Sequence, residues 1–277
     1  MMCFFYERRS ITMKFDLISD VHLDELLQGD LLHQSIPRFV QSILPATPSK
    51  LLVFAGDFGF YNFQNIEFLH ELKKTYDVIL YVYGNNDTKL NLHVNIEDFT
   101  DAKERIKAFE EEVKHISGVY HLDGTTFEWE GCTFGGSNIF FDFNDLKKQF
   151  GFTDAHIQQC WKDQRLHIKH QGYIDDPYVY STEEKDKLRR IFRTSDVIIT
   201  HGSPDYFIGD DKVKGFFRFD GDEFISQLPH KLWCFGHQHQ RMLNHTFNGC
   251  RFYNASYLGT NSPQIVTVEY SPSCVHA

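Results

Sequence analysis

Residues 78–87 read VILYVYGNND, a run of six apolar or aromatic residues that ends directly in a Gly-Asn-Asn-Asp motif. The same arrangement recurs at 14–22 (KFDLISDVH), 51–57 (LLVFAGD), 197–202 (VIITHG) and 232–239 (LWCFGHQH). Short runs rich in β-branched and aromatic residues are typical of buried strands. Because ligands of α/β sheets gather beyond the carboxyl ends of the strands, we expect these motifs to build one shared site.

Helical segments are predicted between these strands. Apolar residues recur at helical spacing in residues 31–44 and 102–116, and residues 65–75 form a third candidate with Asn65 as its N-cap. Alternation of strands and helices predicts an α/β fold with βαβ units.

The remaining strands are predicted from turn signals. Residues 120–138 are interrupted by Asp-Gly and Glu-Gly pairs and predict strand, turn and strand. Residues 251–253 and 264–269 predict a last antiparallel set. Residues 140–193 carry no such motif, are polar with helical periodicity, and predict a mostly helical insertion.

The chain is expected to form a single domain over residues 13–277. No linker rich in Gly, Ser or Pro divides it. Residues 1–12 precede another Met, Met13, at the start of the first strand, so we expect this extension to be dispensable.

Composition restricts the class of protein. The formal net charge of −10 argues against a broad nucleic-acid-binding face, which needs basic residues. The six cysteines form no Cys-x-x-Cys pair, no apolar run approaches the ~20 residues of a membrane span, and no secretory signal is visible. These features favour a cytoplasmic protein with free thiols and no membrane partner.

The motifs supply a mixed set of metal ligands. Carboxylate, amide and imidazole groups suit Mn, Fe, Zn or Ni, whereas structural zinc sites rely mostly on thiolates. Two such ions ~4 Å apart are a common device for in-line attack on a phosphoryl group. The candidate ligands are Asp20, His22, Asp57, Asn85, His201, His237 and His239.

These five motifs, in this order, resemble the calcineurin-like metallophosphoesterase superfamily over residues 14 to about 260. The resemblance implies a β-sandwich flanked by helices, with the site at the strand ends. It also implies two divalent ions, Mn being favoured and Fe, Zn or Ni being alternatives, bridged by a hydroxide that attacks phosphorus. The implied ligands of one ion are Asp20, His22 and His239, those of the other are Asn85, His201 and His237, and Asp57 bridges both.

One position departs from the family pattern. Where the family usually has a His that assists the leaving group, this chain has Asn86, followed by the family's acid at Asp87. Both are candidate catalytic residues. Since an amide donates a hydrogen bond but is not a general acid near neutral pH, Asn86 favours substrates with good leaving groups.

Other basic side chains are weaker candidates. His93 is a candidate replacement imidazole against a surface loop His. His156, His167 and His170 are expected to lie on a solvated face of the insertion, the alternative being that one of them reaches the site. The insertion itself is expected to form a lid or wall over the site. The basic, aromatic residues 212–218 are either a phosphate-binding or base-binding loop or a plain exposed loop.

The sequence therefore predicts a metal-dependent hydrolase of phosphodiester or phosphoanhydride bonds. A metal-dependent nuclease acting on DNA or RNA is an alternative that the acidic balance disfavours. A non-catalytic interaction module on the same fold is a second alternative, and the complete ligand set argues against it. Substrate-binding residues and the oligomeric state are not indicated by the sequence.

Overall fold

The computed structural model describes residues 12–26, 32–91, 97–204, 218–226, 231–256 and 263–271. The strands are β1 (Met13–Ile18), β2 (Leu51–Phe54), β3 (Val78–Tyr81), β4 (Val119–His121), β5 (Thr126–Trp129), β6 (Cys132–Ser137), β7 (Val197–Thr200), β8 (Ser203–Pro204), β9 (Arg218–Phe219), β10 (Leu232–Phe235), β11 (Met242–Phe247), β12 (Cys250–Asn254) and β13 (Val266–Tyr270). The helices are α1 (Leu23–Leu26), α2 (Leu32–Ile43), α3 (Asn62–Lys73), α4 (Ala102–Val113), α5 (Asn144–Phe150), α6 (Asp154–Asp163), α7 (Leu166–Lys169), α8 (Pro177–Phe192) and α9 (Asp222–Ile225).

The strands form two main sheets. One has the order β13-β1-β2-β3-β4, in which β1 to β4 run parallel and β13 is antiparallel to β1. The other has the order β11-β12-β10-β7-β6-β5, with parallel central strands and an antiparallel strand at each edge. β8 and β9 form a separate parallel pair.

The two main sheets pack face to face. Their shared core contains Phe15 and Val53 from the first sheet and Phe134 and Ile199 from the second, all fully buried. The rings of Phe15 and Phe134 meet edge to face with centroids 5.3 Å apart, a favoured geometry for aromatic pairs.

Helices cover the outer faces. Side chains of α2, α3 and α4, including Val40, Phe68 and Phe109, pack on the first sheet. Side chains of α8 and α9, including Leu188 and Phe224, pack on the second. The result is a helix-sheet-sheet-helix sandwich, which confirms the α/β class and the flanked β-sandwich implied by the resemblance.

The segment 140–193 is mostly helical, as predicted. It contains α5 to α8 and has its own apolar cluster around Phe141, Trp161 and Tyr180. The last turns of α8 also serve the main fold, because Ile191 packs on the second sheet between β6 and β7.

Three details of the sequence prediction were wrong. Asn65 does not cap α3, which begins three residues earlier; it lies buried inside the helix and donates from Nδ2 to the Gly59 carbonyl oxygen at 2.9 Å. The predicted strands 251–253 and 264–269 do not pair with each other, since β12 and β13 lie in different sheets. The prediction also omitted β11, whose side chains are mostly exposed, half of them polar, and whose register is interrupted beside β12.

Several expectations fall outside the described residues. These are the dispensability of the N-terminal extension, apart from residue 12, and the roles of His93 and of residues 212–217. Among the described segments, no helix is both long and apolar enough to cross a membrane.

The sandwich core predicts a large penalty for a cavity. Phe15→Ala should lower the free energy of unfolding by about 3–5 kcal/mol, because the ring is fully buried against the opposite sheet. Urea denaturation checks this, with Leu243→Ala on the exposed side of β11 as the control, where a change within about 0.5 kcal/mol is expected. A similar effect of the two substitutions would contradict the packing.

Candidate metal centre

The five polar motifs meet at one end of the sandwich. Asp20 N donates to the Gly56 carbonyl oxygen at 2.9 Å, which joins the loops after β1 and β2. Gly236 N donates to the His201 carbonyl oxygen at 3.0 Å, which joins the loops after β10 and β7. The two sheets are linked there as well, because the Asp20 carboxylate accepts from His237 N at 2.9 Å. The convergence follows from strands that end at the same level in both sheets.

One group of ligands surrounds His22. Its Nε2 lies 3.3 Å from His239 Nε2, and His239 Nε2 lies 3.4 Å from Asp20 Oδ1. Ligand atoms of these three residues lie within 4.8 Å of one another. They are the set that the resemblance implied for one ion.

A second group surrounds the buried His201 ring. Its Nδ1 donates to the Ala55 carbonyl oxygen at 2.8 Å, so Nε2 faces the site. His201 Nε2 lies 3.0 Å from His237 Nδ1 and 3.1 Å from Asn85 Oδ1. Ligand atoms of Asp20 and Asp57 lie within 4.8 Å of both histidines. Asp20 therefore adjoins both groups, whereas the resemblance implied it for one.

Asp57 lies between the two groups. Its Oδ2 is 3.4 Å from His201 Nε2 and 3.8 Å from His22 Nε2. Its Oδ1 accepts from Asn86 N at 2.8 Å, which fixes the carboxylate from the side away from the histidines. A single carboxylate thus faces one histidine from each group.

The spacing of the donor atoms fits metal ions. When each bond to an ion is ~2.1 Å, neighbouring ligand atoms are about 3.0–3.4 Å apart. The pairs His22–His239, His201–His237 and His201–Asp57 have separations of 3.3, 3.0 and 3.4 Å. Imidazole nitrogens facing one another with two buried carboxylates nearby form a donor set in need of cations.

The electrostatics of the site without ions point the same way. Burial would lower the pKa of His201, but the Asp57 carboxylate outweighs it and raises that pKa to about 9. Burial would raise the pKa of Asp57, but His201 and neighbouring histidines hold it well below its usual value. Burial, helped by the charge on His201, lowers the pKa of His237 to about 3. A protonated His201 thus neutralises part of the negative charge that bound ions would neutralise.

Five of the seven candidate ligands have left-handed backbone. Left-handed φ angles are costly for residues with a side chain, by about 1–2 kcal/mol each, and persist where the surrounding structure enforces them. Positive φ angles occur at Asp20 (53°), His22 (48°), Asp57 (63°), His237 (66°) and His239 (47°).

Asn86 lies directly beside the ligands. Its Nδ2 is 3.0 Å from Asp57 Oδ2 and 3.1 Å from His22 Nδ1. Its Oδ1 accepts from Lys89 Nζ at 3.0 Å. The amide thus adjoins both Asp57 and the ligand group of His22.

Asp87 faces the backbone and not the donor cluster. Its carboxylate accepts from the backbone amides of Asp57, Phe58 and Gly84 at 2.7, 2.8 and 2.8 Å. Burial, followed by the Asp57 charge, raises its pKa to about 7. These contacts tie the loop after β2 to the loop after β3, and a catalytic role for Asp87 stays a prediction.

Arg105 on α4 holds the same loops through hydrogen bonds to their backbone. Its guanidinium is buried and donates to the carbonyl oxygens of Asn86 and Asp87, and to Phe60 O at 3.0 Å. The sequence reasoning missed this residue. The available signal was a charged side chain beside Ile106 on the buried stripe of α4.

The helical insertion borders the site. The Phe140 ring centroid lies 6.5 Å from the ring centroids of both His201 and His237. Of the three insertion histidines, His156 and His167 are exposed, as expected, but His170 is buried, and its Nδ1 donates to Thr88 O at 2.9 Å. The expectation of a solvated His170 was wrong, because Phe140 and Trp161 enclose its ring.

Residues 13–241 match the model of the calcineurin-like phosphoesterase family. The chain belongs to this family. The match covers all the motif loops that meet at the site. No curated protein sequence matches the chain.

One of the solved structures compared with this chain supports the fold. The phosphopantetheinyl hydrolase of Mycobacterium tuberculosis has a TM-score of 0.68 and 16% sequence identity, covering 95% of this chain and 98% of that one. A dimetal phosphatase from Danio rerio has a TM-score of 0.46 and 14% identity, covering 93% and 99%. An archaeal phosphodiesterase has a TM-score of 0.35 and 13% identity, also covering 93% and 99%. At 16% identity, the first similarity concerns the fold alone. We draw no conclusion from the other two, whose TM-scores are lower.

The contacts of Asp87 predict a positional role. Asp87→Asn should lower the free energy of unfolding of the metal-free protein by about 1–3 kcal/mol, because an amide NH₂ would face backbone N–H donors in a buried site. Urea denaturation checks this, with Asp77→Asn as the control, since the Asp77 side chain is 62% exposed. Unchanged stability combined with lost turnover would instead favour a direct catalytic role.

Proposed function

We propose that this chain hydrolyses a phosphodiester or phosphoanhydride bond with the help of two divalent metal ions, preferably Mn²⁺. The observation that carries the proposal is the position of Asp57, with one oxygen 3.4 Å from His201 Nε2 and 3.8 Å from His22 Nε2. A buried carboxylate between two histidine groups has the composition of a shared ligand for two ions.

The donor groups divide into two sets around Asp57. When bound, the ions would polarise the phosphoryl oxygens and supply the attacking hydroxide. The residues that would hold one ion are Asp20, His22 and His239, and those that would hold the other are Asn85, His201 and His237. Asp20, which adjoins both sets, would help to hold the sets together.

The protein's own side chains would orient the substrate and exclude water from part of the site. The Asn86 amide, next to Asp57, would donate to a phosphoryl oxygen but would not protonate the leaving oxygen. The Phe140 ring, next to the rings of His201 and His237, would exclude water from that side of the site. A leaving group that departs without protonation therefore suits this site best, which supports the preference for diesters and anhydrides.

Loss of Asp57 should remove both metal sites. We expect Asp57→Ala to bind fewer than two Mn²⁺ per chain and to lose more than ~10³-fold in kcat/KM on bis(p-nitrophenyl) phosphate, since several kcal/mol of charge stabilisation disappear. Elemental analysis and initial rates check this. The matched control is Asp163→Ala on the exposed surface of α6, which should keep both properties. A well-folded wild type without bound metal or turnover would favour the non-catalytic alternative.

Asn86 should make the rate depend on the leaving group. General acid assistance is typically worth ~10²–10⁴-fold, and an amide does not supply it. We expect a plot of log kcat against the leaving-group pKa of aryl phosphodiesters to be steep for wild type and shallower for Asn86→His. Asn86→Gln, which retains an amide, serves as the control and should keep the steep dependence. A wild-type rate that is insensitive to the leaving group would contradict the role given to Asn86.

A further inference from the structure

Lys89 places a positive charge beside the proposed metal centre. Its Nζ donates to Asn86 Oδ1 at 3.0 Å, and Asn86 Nδ2 donates to Asp57 Oδ2 at 3.0 Å. The ammonium group is therefore two hydrogen bonds away from the carboxylate between the two ligand groups. The Lys89 residue as a whole is partly buried.

The helical insertion brings the backbone of a second lysine, Lys169, against the segment that contains Lys89. The Lys169 carbonyl oxygen at the end of α7 accepts from Leu90 N at 2.7 Å. The next residue, His170, donates to Thr88 O at 2.9 Å. These two bonds join the segment around Lys89 to the segment around Lys169, so the two side chains start from backbones that touch.

The two charges affect each other. Burial lowers the pKa of Lys89 to about 8, the Asp57 carboxylate opposes this shift, and the charge on Lys169 adds to it. Among the described residues, neither ammonium group forms an ion pair with a carboxylate. The chain has an excess of acidic residues, 38 against 28 basic ones, and yet in the described part of the chain these two lysines form no direct ion pair.

Two partly buried cations of this kind are suited to an anionic ligand. Lysine is a common phosphate-binding residue that acts as a point charge, and attraction to a phosphate would offset the repulsion between the two ammonium groups. A phosphodiester whose ester substituents carry no charge places its single negative charge at the metal ligands. It offers these lysines no second anionic group to bind. A substrate with two adjoining phosphoryl groups places one charge at each location.

We infer that Lys89 and Lys169 bind the phosphoryl group that adjoins the attacked one, and that the substrate is a diester of diphosphate. The inference rests on the proposed function and narrows it to phosphoanhydrides. The water oxygen bonds to the attacked phosphorus, and the bond from that phosphorus to the bridging oxygen breaks. The bridging oxygen leaves with the electron pair on the second phosphate, and the two protons of the water pass to solvent.

This assignment also accounts for Asn86. The bridging oxygen leaves as part of a phosphate, which is a stable anion and needs little protonation. The charge that develops on that phosphate is the charge that Lys89 and Lys169 would face. An amide at position 86 then suffices, because this leaving group needs no proton from residue 86. The amide oxygen Oδ1 accepts from the Lys89 ammonium and orients it.

The test compares two substrates of the Mn²⁺-loaded protein. Diadenosine diphosphate has two adjoining phosphoryl groups, and bis(p-nitrophenyl) phosphate has one phosphoryl group whose aryl substituents carry no charge in the substrate. We expect Lys89→Met and Lys169→Met each to lower the ratio of kcat/KM on the first substrate to kcat/KM on the second by about tenfold or more, the usual effect of losing one charged hydrogen bond. Lys89→Arg should largely restore the ratio.

The matched control is Lys162→Met, which removes the same charge from an exposed position on α6 and should leave the ratio unchanged. If the wild type hydrolyses bis(p-nitrophenyl) phosphate but not diadenosine diphosphate, the inference is overturned while the proposed function stands. An equal loss on both substrates in the lysine variants would also overturn it. If neither substrate is hydrolysed, the proposed function fails and the inference fails with it.

Discussion

The Asp57 carboxylate is the group on which the site depends. It is buried at the end of β2, where the two sheets meet, and one of its oxygens faces a histidine from each ligand group. Its surroundings leave little freedom: a side chain at Gly84 would overlap its Oδ1 and come within 2.6 Å of its backbone nitrogen. Burying such a charge is costly without a compensating cation. The close approach of the Gly84 backbone is thus a condition for placing the anion where cations can compensate it.

The stability of the fold offsets the free energy that the strained backbone of the ligand residues costs. Left-handed backbone at His22, His237 and His239 costs about 1–2 kcal/mol for each residue. The cost is tolerated because each ligand follows a buried strand held on both faces by apolar layers. Asp87 and the buried Arg105 brace the loops through backbone hydrogen bonds, so that stability and ligand placement depend on the same contacts.

Sequence predicted the local elements better than their partners. Strand β3 and its Gly-Asn-Asn-Asp loop were predictable because an apolar run followed by a polar motif marks a strand end in one continuous segment. The separation of β12 and β13 into different sheets was not, since apolar pattern identifies a strand without its neighbour. The burial of His170 depends on how the helical insertion folds back on the loop after β3. The same is true of the backbone contact between the segments that contain Lys89 and Lys169. The apolar periodicity of the sequence does not predict that contact, because the two segments are far apart in the chain.

The most direct test of the central claim is a crystal structure of the Mn²⁺-loaded protein with an anomalous difference map recorded near the manganese absorption edge. The account predicts two peaks per chain, one on each side of Asp57 and each coordinated by one of the two histidine groups. A single peak, or two peaks that do not share the Asp57 carboxylate, would contradict the account.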